Sequence, residues 1–181
     1  MDRTKSALDR DLAREAASTR SDLTPSPDSM SGMAERSRDS LTGLGDWHAF
    51  HDTIRSAAIL ATENSRPLSL LILSVEQLKD VTDNDAAWQA VLQRIAELLA
   101  DADQHGDCAA RQGSAHFALI LPDATLTDAT LLADHIRGRL LPQILEYAAG
   151  ADDSLKIGTA QYDPQEPLGH FIQRATDAST S

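Results

Sequence analysis

From Asp39 onward the apolar residues fall into regular periods. Trp47, Phe50, Ile54, Ala57, Ala58 and Ala61 recur at three- and four-residue spacing, which predicts a first core helix; Trp47, and Trp88 further along, read as core anchors. Pro67 closes the connection that follows this helix. The run Leu68–Val75, interrupted only by Ser69 and Ser74, reads as a strand buried on both faces. Trp88, Val91, Leu92, Ile95, Leu98 and Leu99 define a second helix. Two short strands follow, Cys108–Gln112 and Ala115–Leu121, joined by Gly113-Ser114 as a two-residue hairpin turn. Pro122-Asp123 ends the hairpin. A long helix over 127–148 carries Leu131, Leu132, Ile136, Leu140 and Ile144, then Leu155–Tyr162 is a strand and Leu168–Ala178 a final helix. Strands alternating with helices, plus one hairpin, predict an α/β domain with a mixed sheet under helices.

Before Asp39 the pattern is weaker. Residues 1–20 contain a marginal helix, with Leu8, Leu12 and Ala16 as a narrow stripe over 4–18, and it needs a partner surface to form. Residues 21–38, with Pro25, Pro27 and many Ser, Asp and Arg, read as a flexible linker.

Composition narrows the possible partners. Hydrophobic residues make up 41% but aromatics only 4%, so the core rests on Leu, Ile, Val and Ala. A net charge of −12 repels phosphate backbones and anionic lipid headgroups, which argues against nucleic acid or membrane partners. The single cysteine, Cys108, excludes an internal disulfide and a structural zinc site, and reads as a small buried hydrophobe. The first twenty residues are too charged for a secretion signal, and no apolar run is long enough to span a bilayer. A cytoplasmic location is the expectation.

Four stretches, in order, carry a resemblance. Asp39-Ser40-Leu41-Thr42-Gly43-Leu44, with Phe50 after it, resembles the DxLTGLxNRxxF entry signature of GGDEF (diguanylate cyclase) domains, with Asp46-Trp47 in place of Asn-Arg. Ser74-Val75-Glu76-Gln77-Leu78-Lys79 lines up with D-[IV]-D-x-F-K. Arg111-Gln112-Gly113-Ser114-Ala115-His116-Phe117 lines up with R-[YF]-G-G-[DE]-E-F, and Lys156–Ala160 with S-[IV]-G-[VI]-A. The resemblance covers 39–178 and implies a domain over 39–181 with a sheet of about five strands and helices on both faces.

Active relatives condense two GTP molecules into cyclic di-GMP, one held on each subunit of a dimer, with divalent metals on the triphosphate. Hard cations need carboxylate oxygens, yet the implied ligand positions are Ser74 and Ala115. Glu76 and Asp80 are acidic but stand at other positions and read as solvated surface. The guanine-contacting Asn and Asp fall on Thr82 and near Gln89, and the closing AK-x-x-GRN segment has no counterpart before Ser181. The inhibitory R-x-x-D window is Gln104-His105-Gly106-Asp107: the acid is kept, but the arginine, which supplies both charge and a planar fork, is not. Lys79, Asp107 and Arg111 remain as nucleotide contacts. No catalytic set, resident metal or cofactor is expected.

The remaining polar residues have plain readings. His116 is a solvent-facing turn histidine. His48 and His51, three apart on the first helix, lack a third metal ligand, and Asp80–Asp85 lacks the glycine and the closing glutamate of a calcium loop. Lys156 marks a sheet edge. Two functions fit: a GGDEF-like pseudoenzyme that binds a protein partner or itself in bacterial cyclic di-GMP signalling, or a receptor that holds cyclic di-GMP or GTP without turnover. Few cations line the implied cleft, which favours the first.

Overall fold

In the computed structural model the described residues are 37–81, 85–103, 108–147 and 154–180. The N-terminal helix and nearly all of the linker read from the sequence lie outside them, as do Thr82 and the window 104–107. One compact unit begins at Ser37, two residues before the expected boundary. The Ser37 carbonyl accepts the Asp46 amide at 3.0 Å, and Arg38 bridges to Gly45, so both residues belong to the fold.

Helix α1 (Trp47–Asn64) starts where the Asp46 carboxylate accepts the amides of His48 and Ala49, and stops at Ser65 in the left-handed region. It buries Ala49, Phe50, Ile54, Ala58 and Ala61. Trp47 departs from expectation. It lies in the first turn and remains 47% exposed, stacked on Phe50 and edged by His51. Strand β1 (Leu68–Ser74) is buried at every position, as its apolar run requires. A six-residue helix absent from the sequence reading, α2 (Glu76–Val81), follows, then α3 (Asp85–Ala102), with Trp88 half-buried against the core. The hairpin is β2 (Ala109–Arg111) and β3 (His116–Pro122). Helix α4 (Leu126–Tyr147), strand β4 (Lys156–Gln161) and helix α5 (Leu168–Ala178) complete the order.

Among the described residues the sheet has four strands, ordered β2-β3-β1-β4, rather than about five. Every strand pair is antiparallel; the only parallel contact is an isolated bridge, Gly45 to Ala110. The reason is topological. Helix α4 carries the chain from β3 to β4 in one direction, but it steps over β1, so the two parallel strands are never neighbours. As the outermost strand on that side, β4 gives Lys156 the edge position expected of it.

Alternation along β4 assigns the helices to faces. A Cβ on Gly158 would meet backbone of α5, whereas Gln161, of opposite parity, accepts the Leu126 amide at the start of α4. Across the sheet Gly158 aligns with Ile72, Ala118 and Ala110, and Ala110 lies under Gly45 at the entrance to α1. Helices α1 and α5 therefore cover one face, over a row in which Ile72 stands between Gly158 and the alanines 118 and 110, and α4 lies on the other. On α4 the buried stripe is Ala129, Ala133, Ile136, Leu140 and Ile144, so Leu131, expected inside, is 64% exposed. The helix approaches the sheet through alanines in its first half, which turns Leu131 away. No helix among the described residues is long and apolar enough to cross a membrane.

Candidate functional site

The entry motif is a clamp. The Asp39 carbonyl accepts the Gly43 amide, and the Asp39 carboxylate accepts both the amide and the hydroxyl of Thr42, at 2.9 and 2.6 Å. Gly43 sits at φ +73, where a side chain is disfavoured, and this closes the turn. The same carboxylate receives Arg111 from β2 at 3.1 Å. Burial alone would raise the Asp39 carboxyl, but the Thr42 hydroxyl and amide and the Arg111 guanidinium outweigh it and hold it below the usual range.

Arg111 is therefore anchored within the fold. A second arm donates to the Ser114 carbonyl at 2.9 Å, its guanidinium lies 6.0 Å from the Phe117 ring centre, and its side chain is only 11% exposed. Its Nε and the Gln112 Nε2 are buried without a partner among the described residues. Of the other two nucleotide contacts read from the sequence, Asp107 and the side chain of Lys79 lie outside the described residues.

The hairpin turn is one residue longer than expected. Arg111 pairs with Phe117, Ala110 with Ala118, and the Gln112 amide donates to the His116 carbonyl at 2.8 Å. The loop is thus Gly113-Ser114-Ala115, with Gly113 at φ +129. Because side chains alternate, this one-residue change fixes which face each motif residue joins. His116 becomes the first residue of β3, opposite Ser74, instead of a solvent-facing turn residue. Its Nε2 stands 3.3 Å from the buried Ser74 Oγ and 3.7 Å from Glu76 Oε1, on the exposed first residue of α2. Lys156 flanks Ser74 on the other side, so one polar row crosses the sheet end from Gln112 through His116 and Ser74 to Lys156. Periodicity alone did not reveal this row; it becomes legible once the hairpin has an odd-numbered loop.

The two positions to which the resemblance assigns metal ligands do not fit a divalent ion. Ser74 offers one neutral hydroxyl already engaged by His116, and Ala115 is buried, with its carbonyl accepting the Val75 amide at 3.0 Å. No group of three His, Cys, Asp or Glu among the described residues is placed to hold a metal. His51 packs against Trp47 with ring centres 4.1 Å apart.

Comparison with known proteins supplies the context. The model of the family described as "Diguanylate cyclase, GGDEF domain" matches residues 36–181. An uncharacterized membrane protein of Staphylococcus saprophyticus is 34% identical over 102 residues, covering 55% of this chain and 29% of that protein. The matched stretch is thus less than a third of that relative. Among solved structures, a Pseudomonas aeruginosa TpbB (YfiN) mutant comprising only the GGDEF domain superposes with a TM-score of 0.66 at 26% identity, covering 79% of this chain and 86% of that one. The diguanylate cyclase SiaD, solved in complex with its activator SiaC from the same organism, superposes with a TM-score of 0.66 at 22% identity, covering 99% of this chain and 70% of that one.

Proposed function

The chain belongs to the GGDEF (diguanylate cyclase) family, and we propose that it is a catalytically inactive member acting as a cytoplasmic regulatory or scaffolding protein-interaction module in cyclic di-GMP-related signalling. One observation carries the reading. At Ser74 and Ala115, where the family resemblance calls for carboxylates on a divalent ion, the chain has a buried neutral hydroxyl and a buried methyl group. Phosphoryl transfer from a nucleotide relies on charge held in place before reaction. Neither residue supplies it, and Arg111 is held by Asp39 and the Ser114 carbonyl.

A role in binding a protein is supported by the nature of its neighbours. SiaD, of the same fold, was solved with a protein activator. Titration calorimetry of the purified chain, first with GTP and magnesium and then with cyclic di-GMP, tests the reading. Silence in both is the expected outcome. Turnover of GTP overturns it, and saturable binding of cyclic di-GMP without turnover replaces it with a receptor built on the same fold.

A further inference from the structure

The outer edge of β4 has a specific geometry. The Tyr162 amide donates to the Leu68 carbonyl at 2.8 Å, and the ladder continues in two-residue steps through Ala160–Leu70, Gly158–Ile72 and Lys156–Ser74. These even-numbered residues direct their backbone groups toward β1, so the odd-numbered ones direct theirs away from the sheet. Side chains cap the outward carbonyls at the two ends. Arg137 of α4 donates to the Leu155 carbonyl at 2.8 Å, and Arg174 of α5 to the Gln161 carbonyl at 2.6 Å. Between these caps, the N–H and C=O groups of Ile157 and Thr159 have no partner among the described residues, and both residues are only half-buried.

We propose that this edge accepts an extended segment of a partner protein carrying acidic side chains, added to the sheet as a strand beyond β4. Four aligned, unmatched backbone groups are a template for strand addition. The charges around them select the guest. Arg66, Arg94, Arg111 and Arg174 each meet a carboxylate within the fold. Arg137 and Lys156, at one end of the edge, donate only to the backbone carbonyls of Leu155 and Thr180 among the described residues. In a chain with 28 acidic and 16 basic residues, two cations without acids beside an open strand favour a negatively charged guest.

A second copy fits less well. Antiparallel pairing of Ile157 with Thr159 of that copy would bring Leu155 opposite its Gln161, and so Arg137 against its Arg174. Arg174 is already matched by Glu166, so a second copy brings no free acid to Arg137 and Lys156. The inference goes beyond the inactive-module reading by naming a surface, and it rests on the edge geometry and the two cations beside it.

The test uses the whole chain and a fluorescein-labelled peptide alternating valine and threonine with glutamate at each end, compared with a lysine-ended counterpart. The glutamate-ended peptide should bind saturably by anisotropy and slow amide exchange at Ile157 and Thr159. Its lysine-ended counterpart should bind about tenfold more weakly. Thr159→Pro removes an outward N–H without touching the β1–β4 ladder, and should weaken binding about tenfold, whereas Thr159→Val should not. Arg137→Glu combined with Lys156→Glu should reverse the preference between the peptides. Unchanged binding by Thr159→Pro, no saturable binding by the glutamate-ended peptide, or amides at 157 and 159 already protected in the free monomer would each overturn the proposal. Any of these, with the nucleotide titrations still silent, removes this surface and leaves the inactive-module reading standing.

Discussion

Replacing Gly158 with alanine places a methyl carbon against the last turn of α5, 2.6 Å from the Ala178 carbonyl carbon and closer still to the Ala175 oxygen and the Ser179 nitrogen. All three are backbone atoms of a helix terminus, so no rotamer change relieves the overlap. Ordinary contact needs α5 to lift by about an ångström, as interiors are packed without slack. That shift loosens Phe171 and Ala175, both fully buried against the core. Overpacking of this kind costs about 1–3 kcal/mol, and rigid backbone on both sides argues for the upper end, about 3 kcal/mol. At roughly 2–4 °C per kcal/mol for a chain of this size, the melting temperature should fall by about 10 °C. Differential scanning calorimetry of the wild type and Gly158→Ala measures it. A melting temperature within about 2 °C of wild type would show that α5 yields easily and would refute the close-packing argument.

Other consequences can be measured independently. Arg111→Ala should cost about 1–2 kcal/mol at neutral pH, between the ranges for exposed and buried pairs. Asp39 titrates below its unfolded value, so its contribution is full above the unfolded carboxylate pKa and is lost as pH falls through the lower folded one. The difference between wild type and Arg111→Ala in urea denaturation should therefore stay constant down to about pH 5 and shrink below about pH 4; a constant gap at every pH would refute the clamp. Phe50→Ala should cost about 3–5 kcal/mol, and Trp47→Ala less than about 1 kcal/mol, because Phe50 is 1% exposed and Trp47 47%; equal losses in thermal melts would contradict that placement. Ser74→Asp with Ala115→Glu should yield no cyclic di-GMP from GTP and magnesium, because the positions implied to contact guanine are still Thr82 and Gln89. Robust product by chromatography would show that the missing acids were the sole lesion.

Much of the fold was legible because the strongest signals were long. Leu68–Val75 and the stripes around Phe50 and Ile95 run for several residues with one period, and each became the expected element. Helix α2 escaped because six residues are too few for a helical period to show, even though Leu78 is fully buried. Leu131 was misplaced because hydrophobicity ranks leucine above alanine, whereas contact with the sheet at that height admits Ala129 and Ala133. At the site, residue types were readable but geometry was not. The sequence pattern supplied Ser74, Ala115 and Arg111 by resemblance, whereas the His116–Ser74 contact and the capture of Arg111 by Asp39 depend on strand register, which periodicity leaves open by one residue.

That register separates what the signature hairpin tolerates from what it cannot. Side-chain chemistry at exposed Ser114 can drift with little effect on the sheet, but Gly113 at φ +129 disfavours any side chain, Ala115 is buried, and the length of the loop cannot change. Deleting or inserting a single residue there would invert the alternation of β3, turning Phe117, Leu119 and Leu121 to the opposite side and stripping Arg111 of its Phe117 neighbour. The loop can therefore be read as a spacer: its three residues measure out a distance, with Gly113 supplying the turn.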